Sequence, residues 1–294
     1  MGATSVRAAV ADLRGTVTGE LSTGFRHDRV PAAERLATTL EVCAAALHAA
    51  DVRADQLVGA VLGVPAPAGV DGHVAASEDY YLPGLAALDL RTALAPLTDV
   101  SVQVENDANL AVQAERWLGV AGGLDDVVLV LAGERLGAGI CLGGRVVRGH
   151  RGGAGEMGFL DLVAGVGDAD AIGNLVRRRS SAELGRTVRA EHVFAAARAG
   201  ERRALGVLDT VARRIARALA VLATLLDPEL IVIGGAVAAA GEILLTPLER
   251  ELALVTARPV RLAASTLADR GVLLGAVRVA LDDVRPRLLD LAPG

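Results

Sequence analysis

The stretch that most constrains this chain is Val102 to Leu118, VQVENDANLAVQAERWL. A short apolar run, Val100 to Val104, ends in three polar residues, Glu105, Asn106 and Asp107, and an Ala/Leu/Val-periodic segment follows at once. This pattern predicts a strand feeding a helix with the polar triplet at the junction. A carboxylate there sits beside the partial positive charge of a helix N-terminus. That placement favours an ionised Asp107, able to accept a proton from a bound hydroxyl. The ordinary alternative is helix capping, for which Asn and Asp are preferred residues.

The rest of the chain reads as alternating strands and helices. Residues 5–22 read as a hairpin turning at Asp12-Leu13-Arg14-Gly15, preceded by a small-residue turn, Gly2-Ala3-Thr4. Residues 32–50 are helical by the spacing of Leu36, Leu40, Cys43 and Leu47. Leu57 to Val64 reads as a buried strand ending in a Pro/Gly loop, 65–69, and a second loop at 77–84 holds both tyrosines. A short helix is expected near 89–95.

Asp125 to Ala132 is a near-continuous apolar strand that runs into a glycine-rich loop, 133–139. A second hairpin turns at Gly143-Gly144, and the segment RGGAGEMGF follows it. Glycine at this density beside strands permits close backbone approach, to a ligand or to another part of the chain. Residues 165–200 are mostly helical and polar, and the Arg177-Arg178-Arg179 run reads as a solvated face. A long helix over 203–226 carries Leu205, Leu208, Val211, Ile215, Leu219, Leu222 and Leu226 on one stripe, and Asp227-Pro228 ends it. A strand at 230–233, Gly234-Gly235, a helix from about 241, a strand near 260–264 and a helix over 272–283 complete the chain.

Composition narrows the function. The 294 residues suit two domains or two lobes. With 52% hydrophobic and only 2% aromatic residues, the core must be built from Ala, Val and Leu. Every basic residue is Arg, and the net charge of -5 disfavours non-specific binding to nucleic acid or an acidic membrane. No signal peptide or membrane span is visible, and Cys43 and Cys141 form no metal-ligand pattern. A reduced, cytoplasmic protein is the expectation.

Taken together, ENDAN at 105–109, GAGICLGGRVVRG at 137–149, AGE at 154–156 and LLDPELIVIGG at 225–235 resemble the ROK family of repressors, open reading frames and sugar kinases. The resemblance implies an α/β protein of the actin-like, ribonuclease-H-like ATPase fold, with two lobes and a cleft between them. The lobes expected are 1–107 plus 272–294, and 108–271. It implies a hexose, amino sugar or sugar phosphate as ligand, often with ATP and Mg²⁺, and a homodimer. By matching position, Asn106 and Asp107 resemble the sugar-contacting pair, Asp107 standing where kinases place the base, and Glu156 the glutamate that bonds sugar hydroxyls. Gly137 and Gly139 match the second phosphate loop, Gly234 and Gly235 the adenosine-side loop, and Gly2 and Thr4 the tail of the first phosphate motif.

The departures are as informative. The first phosphate motif of the family's kinases is an Asp, any residue, Gly-Gly-Thr, and only its tail is present, so the strand that carries the Asp is expected to lie upstream of the given start; the family's regulators carry a helix-turn-helix domain ahead of this fold. Where those kinases read Gly-Thr-Gly, this chain reads Gly133-Glu134-Arg135, and Glu134 would repel an anionic phosphate. Phe159 stands at the position of a zinc-binding His, and no cysteine follows residue 142, so structural zinc is not expected. The GERLGAG and AGEMGF variants look like the family's sugar-responsive regulators. The expectation is therefore a sugar-sensing domain without kinase activity, the alternative being an ATP-dependent hexose or N-acetylhexosamine kinase.

Overall fold

The computed structural model of the chain describes all residues except 3, 26–29, 70–71, 75–81, 83, 133–135, 158–169, 185–187, 259 and 291–294. Both tyrosines, the Glu134-Arg135 segment and Phe159 lie outside the described residues. The chain forms two compact units: Met1–Ala114, Arg148–Ala154 and Val272–Gly294 make one, and Glu115–Val147 with Gly155–Gly271 the other.

The first unit opens with β1 (Ser5–Ala11) and β2 (Val17–Gly24), an antiparallel hairpin. Its turn is closed by the Asp12 carboxylate, which accepts the N–H groups of Arg14 at 2.9 Å and Thr16 at 2.8 Å, while Gly15 takes φ 90°. Helix α1 (Ala32–Ala49) packs on this hairpin, where a side chain at Gly19 would meet the carbonyl of Ala46 at 2.7 Å. Strand β3 (Ala60–Val64) lies parallel to β4 (Val102–Asn106), with Val64 opposite Asn106. Between them, α2 (Leu90–Leu94) is capped by Asp89. The hairpin and the β3–β4 pair are separate two-stranded sheets, and among the described residues no strand pairs with the free edge of β1 or β3.

Helix α3 (Asp107–Leu118) leaves β4 directly. The last helix of the chain, α8 (Gly271–Asp290), crosses it closely, because Gly275 has no side chain where one would come within 1.9 Å of the Leu110 carbonyl.

The second unit is built on a five-stranded sheet in the order β7-β6-β5-β8-β9. Strands β5 (Val127–Ala132), β8 (Leu230–Gly234) and β9 (Arg261–Ala264) run parallel, and β6 (Leu136–Leu142) and β7 (Arg145–Val146) continue antiparallel. Val127 through Val130 and Leu230 through Ile233 are almost wholly buried along every position, as strands covered on both faces must be. Helices α4 (Ile172–Leu184), α5 (Ala190–Arg198), α6 (Arg202–Leu226) and α7 (Glu242–Val255) contribute to the unit, and Leu208, Ile215 and Leu219 of α6 are buried in its core. Full burial of a side chain of this size stabilises by roughly 1.5–3 kcal/mol.

Several local expectations need correcting. The strand expected from Leu57 starts only at Ala60, because its ladder partner β4 starts at Val102, directly opposite. Gly137 and Gly139 lie within β6 rather than in a loop, since pairing with β5 already begins at Leu136 opposite Ala132. The deepest face of α1 is Arg35, Thr39, Val42 and Ala46, and the stripe of Leu36, Leu40, Cys43 and Leu47 is only partly covered. Leu205 is exposed, because the buried face of α6 at that turn is Ala204, Val207 and Leu208. Helix α6 ends with Asp227 in the left-handed region, φ 44°, its N–H bonded to Ala223, so the stop is a left-handed cap ahead of Pro228. Helix α8 extends past 283 to Asp290, through Pro286, which would ordinarily mark an end.

Candidate functional site

The structure places the polar triplet at the boundary between β4 and α3. Asn106 is the helix cap: its Oδ1 accepts the N–H groups of Ala108 at 2.9 Å and Asn109 at 3.1 Å. Its Nδ2 donates to the carbonyl of Ala66 at 3.1 Å, in the loop that follows β3. Both acceptor positions of the amide are thus used, and one of its two N–H groups is left. Asn106 can meet a ligand hydroxyl only as a donor.

Asp107 is the first helical residue, with its carboxylate at the end of the helix where negative charge is favoured. The Met1 ammonium donates to the Gly63 carbonyl at 2.9 Å. Burial pushes that amine below its ordinary pKa, while Cys43 and the Asp107 carboxylate pull it upward. Capping, the ordinary reading of Asn-Asp, therefore accounts for Asn106.

Glu105, to which the sequence assigned no role, is 2% exposed and carries three donors. Its Oε1 accepts the Asn106 N–H at 2.9 Å and Asn109 Nδ2 at 3.0 Å, and its Oε2 accepts Arg148 Nε at 2.7 Å. Such partners offset the desolvation of a buried carboxylate.

Glu156 belongs to the second unit. Gly155 ahead of it has φ 87°, and its carbonyl accepts the Ala138 N–H at 2.8 Å. A side chain at Gly155 would sit 1.8 Å from the Ala138 carbonyl, so only glycine lets this segment dock on β6.

The four glycines matched to nucleotide loops also fall in the second unit. Gly137 and Gly234 both pair with Leu131, one on each side of β5, and Gly139 pairs with Leu129. Gly235 follows with φ 83°, starting the 3-10 turn Ala236–Ala240. Arg198 of α5, not singled out in the sequence, holds that turn by donating to the carbonyls of Ala239 and Ala240, each at 2.9 Å. This end of β5 and β8 is the carboxyl edge of the parallel strands, where open α/β sheets bind ligands. Gly2 and Thr4 lie in the first unit, their main chains engaged: Gly2 N–H bonds Ser5 at 2.7 Å, its carbonyl accepts from Arg35, and the Thr4 carbonyl accepts Phe25 N–H at 2.9 Å.

A second buried carboxylate also escaped the sequence. Glu115, fully buried on α3, accepts the Val120 N–H at 3.0 Å and the Ser265 hydroxyl. Among the described residues no group of three His, Cys, Asp or Glu is arranged to hold a metal ion. No described helix is long and apolar enough to cross a membrane.

Comparison with known proteins gives a consistent family. The model of the ROK family matches residues 1–283. The glucokinase of Thermotoga maritima is 31% identical over 250 residues, which are 74% of this chain and 78% of that protein. The structure of a ROK family glucokinase from Streptomyces griseus, in complex with glucose and AMPPNP, superimposes with a TM-score of 0.77 at 25% identity, covering 96% of this chain and 97% of that one. A ROK family transcriptional regulator, described as a homolog of the E. coli MLC protein, gives a TM-score of 0.80 over 96% of this chain and 77% of its own, and at 24% identity that likeness speaks to the fold. The architecture is that of the actin-like ATPase fold.

Proposed function

Because the chain belongs to the ROK family, we propose that it is a sugar-binding domain of the regulator type, which recognises its ligand without transferring phosphate. The observation that carries this reading is the junction itself. Asn106 is held with one spare N–H, and Asp107 offers a carboxylate next to it on the rigid end of α3. A vicinal pair of sugar hydroxyls asks for this combination of one donor and one charged acceptor. By position in the sequence, Glu156 matches the family's sugar glutamate.

The phosphate side supports the distinction. Glu134 and Arg135 stand where the family's kinases have a small hydroxyl residue and glycine, and a carboxylate there opposes a triphosphate. Phosphoryl transfer depends almost entirely on positioning and charge stabilisation, so a base alone does not supply it. A homodimer in the cytoplasm is the assembly and compartment that accompany this reading.

A second reading, an ATP-dependent kinase of a hexose or N-acetylhexosamine, is favoured by the likeness to the T. maritima and S. griseus glucokinases. Asp107 would then act as base on the sugar hydroxyl, with ATP and Mg²⁺ as co-substrates. Two measurements on one preparation decide. Saturable sugar binding by calorimetry, with no sugar-dependent ADP release, supports the sensor. Sugar-dependent ADP release abolished by Asp107→Asn establishes the kinase.

A further inference from the structure

We propose that Arg148 is a positioning residue of the sugar site, acting through Glu105 on Asn106. This inference rests on the sugar-binding reading and extends it to a residue outside the motif.

The geometry is specific. Arg148 is 43 residues from Glu105 in sequence, yet its Nε meets the Glu105 carboxylate at 2.7 Å. The guanidinium side chain is 35% exposed and the carboxylate 2%. Glu105 in turn holds the main-chain N–H of Asn106, the residue assigned above to the sugar, and the side chain of Asn109, one turn along α3. Arg148 is itself fixed: its carbonyl accepts the Ala154 N–H at 3.0 Å, and Gly149 and Gly152 take φ 74° and 75° to close the loop. Gly152 packs on Ala68, where a side chain would approach the carbonyl to 2.2 Å. Ala68 belongs to the same short loop as Ala66, which holds the Asn106 side chain. The 148–154 loop and the 65–69 loop therefore grip Asn106 through its main chain and its amide respectively.

Removing Arg148 leaves a buried carboxylate with no cationic partner. Such a group carries an uncompensated desolvation cost, and the rearrangement that relieves it moves the acceptor that orients Asn106. Losing a charge-assisted contact of this kind costs about a factor of ten in whatever depends on it.

The experiment uses the full chain. Glucose, N-acetylglucosamine and their 6-phosphates are titrated by calorimetry into wild type, Arg148→Met, Arg148→Lys, Glu105→Gln and the Glu105→Gln/Arg148→Met double variant. Amide spectra of each free protein, with Asn106 assigned, are recorded alongside. The proposal expects Arg148→Met to weaken the sugar that wild type binds by about ten-fold and to shift the Asn106 amide. Arg148→Lys should recover most of both, since only the Nε contact is made. The double variant should bind no more weakly than either single variant, because both act on one path. Loss of thermal stability in Arg148→Met with unchanged sugar affinity overturns it, as do independent, multiplying effects of the two substitutions. Failure of wild type to bind any of the four sugars overturns the sugar-binding reading. An Asn106 amide unmoved in Arg148→Met, read without sugar, overturns this role by itself.

Discussion

The side chain of Asn106 spans from the end of β4 to the loop after β3, donating to the carbonyl of Ala66 at 3.1 Å while its oxygen caps α3. One amide thereby ties two parallel strands and a helix start together. The oxygen serves the helix alone, whereas Nδ2 holds Ala66 and carries the remaining N–H, so capping can be separated from donation by substitution.

Asn106→Ser keeps an oxygen able to cap the helix and removes both amide N–H groups, the one on Ala66 included. It should lose sugar binding and melt below wild type by about 1 kcal/mol, the worth of one hydrogen bond. Asn106→Ala removes the oxygen as well, costing in addition about 1 kcal/mol of stability. Thermal melts and calorimetric titrations on the two variants check the separation.

Gly155→Ala should fail structurally. The new methyl meets the Ala138 carbonyl, and the positive φ alone costs on the order of 1–3 kcal/mol. The expected outcome is a large drop in denaturation midpoint, or insoluble protein. A stable variant would show that the segment before Glu156 docks elsewhere.

Two leucines of α6 should respond in opposite ways. Leu219 is fully buried, and Leu219→Ala should cost about 2–5 kcal/mol. Leu225 is 75% exposed, and Leu225→Ala should change stability by about 0.5 kcal/mol or less. Urea unfolding of both variants measures the difference.

Acid sensitivity has an assigned source at α2. The Thr92 hydroxyl, then the N–H groups of Thr92 and Arg91, hold the Asp89 carboxylate below its ordinary value of 3.8. A depressed folded-state pKa means that the contribution is present above the unfolded value and is lost as pH falls through the folded one. Melting temperature should therefore fall below pH 3.8 less steeply in Asp89→Ala than in wild type. Parallel curves would show that the cap carries no pH dependence.

Much of this arrangement is written locally in the sequence. The strand-to-helix switch at residue 107, the Asp12–Gly15 turn and the Gly143-Gly144 turn are set by neighbours in the chain, and each forms as the residues predict. The misplacements arise where a distant partner decides. Strand β3 is trimmed by the start of β4, Gly137 is drawn into β6 by β5, and the buried face of α1 is set by the hairpin it packs on. The Arg148–Glu105 pair has no local signature at all, because nothing in the GHRGG segment announces that its neighbouring Arg packs against a carboxylate 43 residues earlier.

The most direct measurement is calorimetric titration of hexoses, N-acetylhexosamines and their 6-phosphates into wild type and Asp107→Ala, with equal folding of the two verified by melting. The account expects saturable, one-site binding of at least one of these sugars to wild type and loss of that binding in the variant. Binding that survives Asp107→Ala unchanged, or no binding to wild type across the panel, would contradict it.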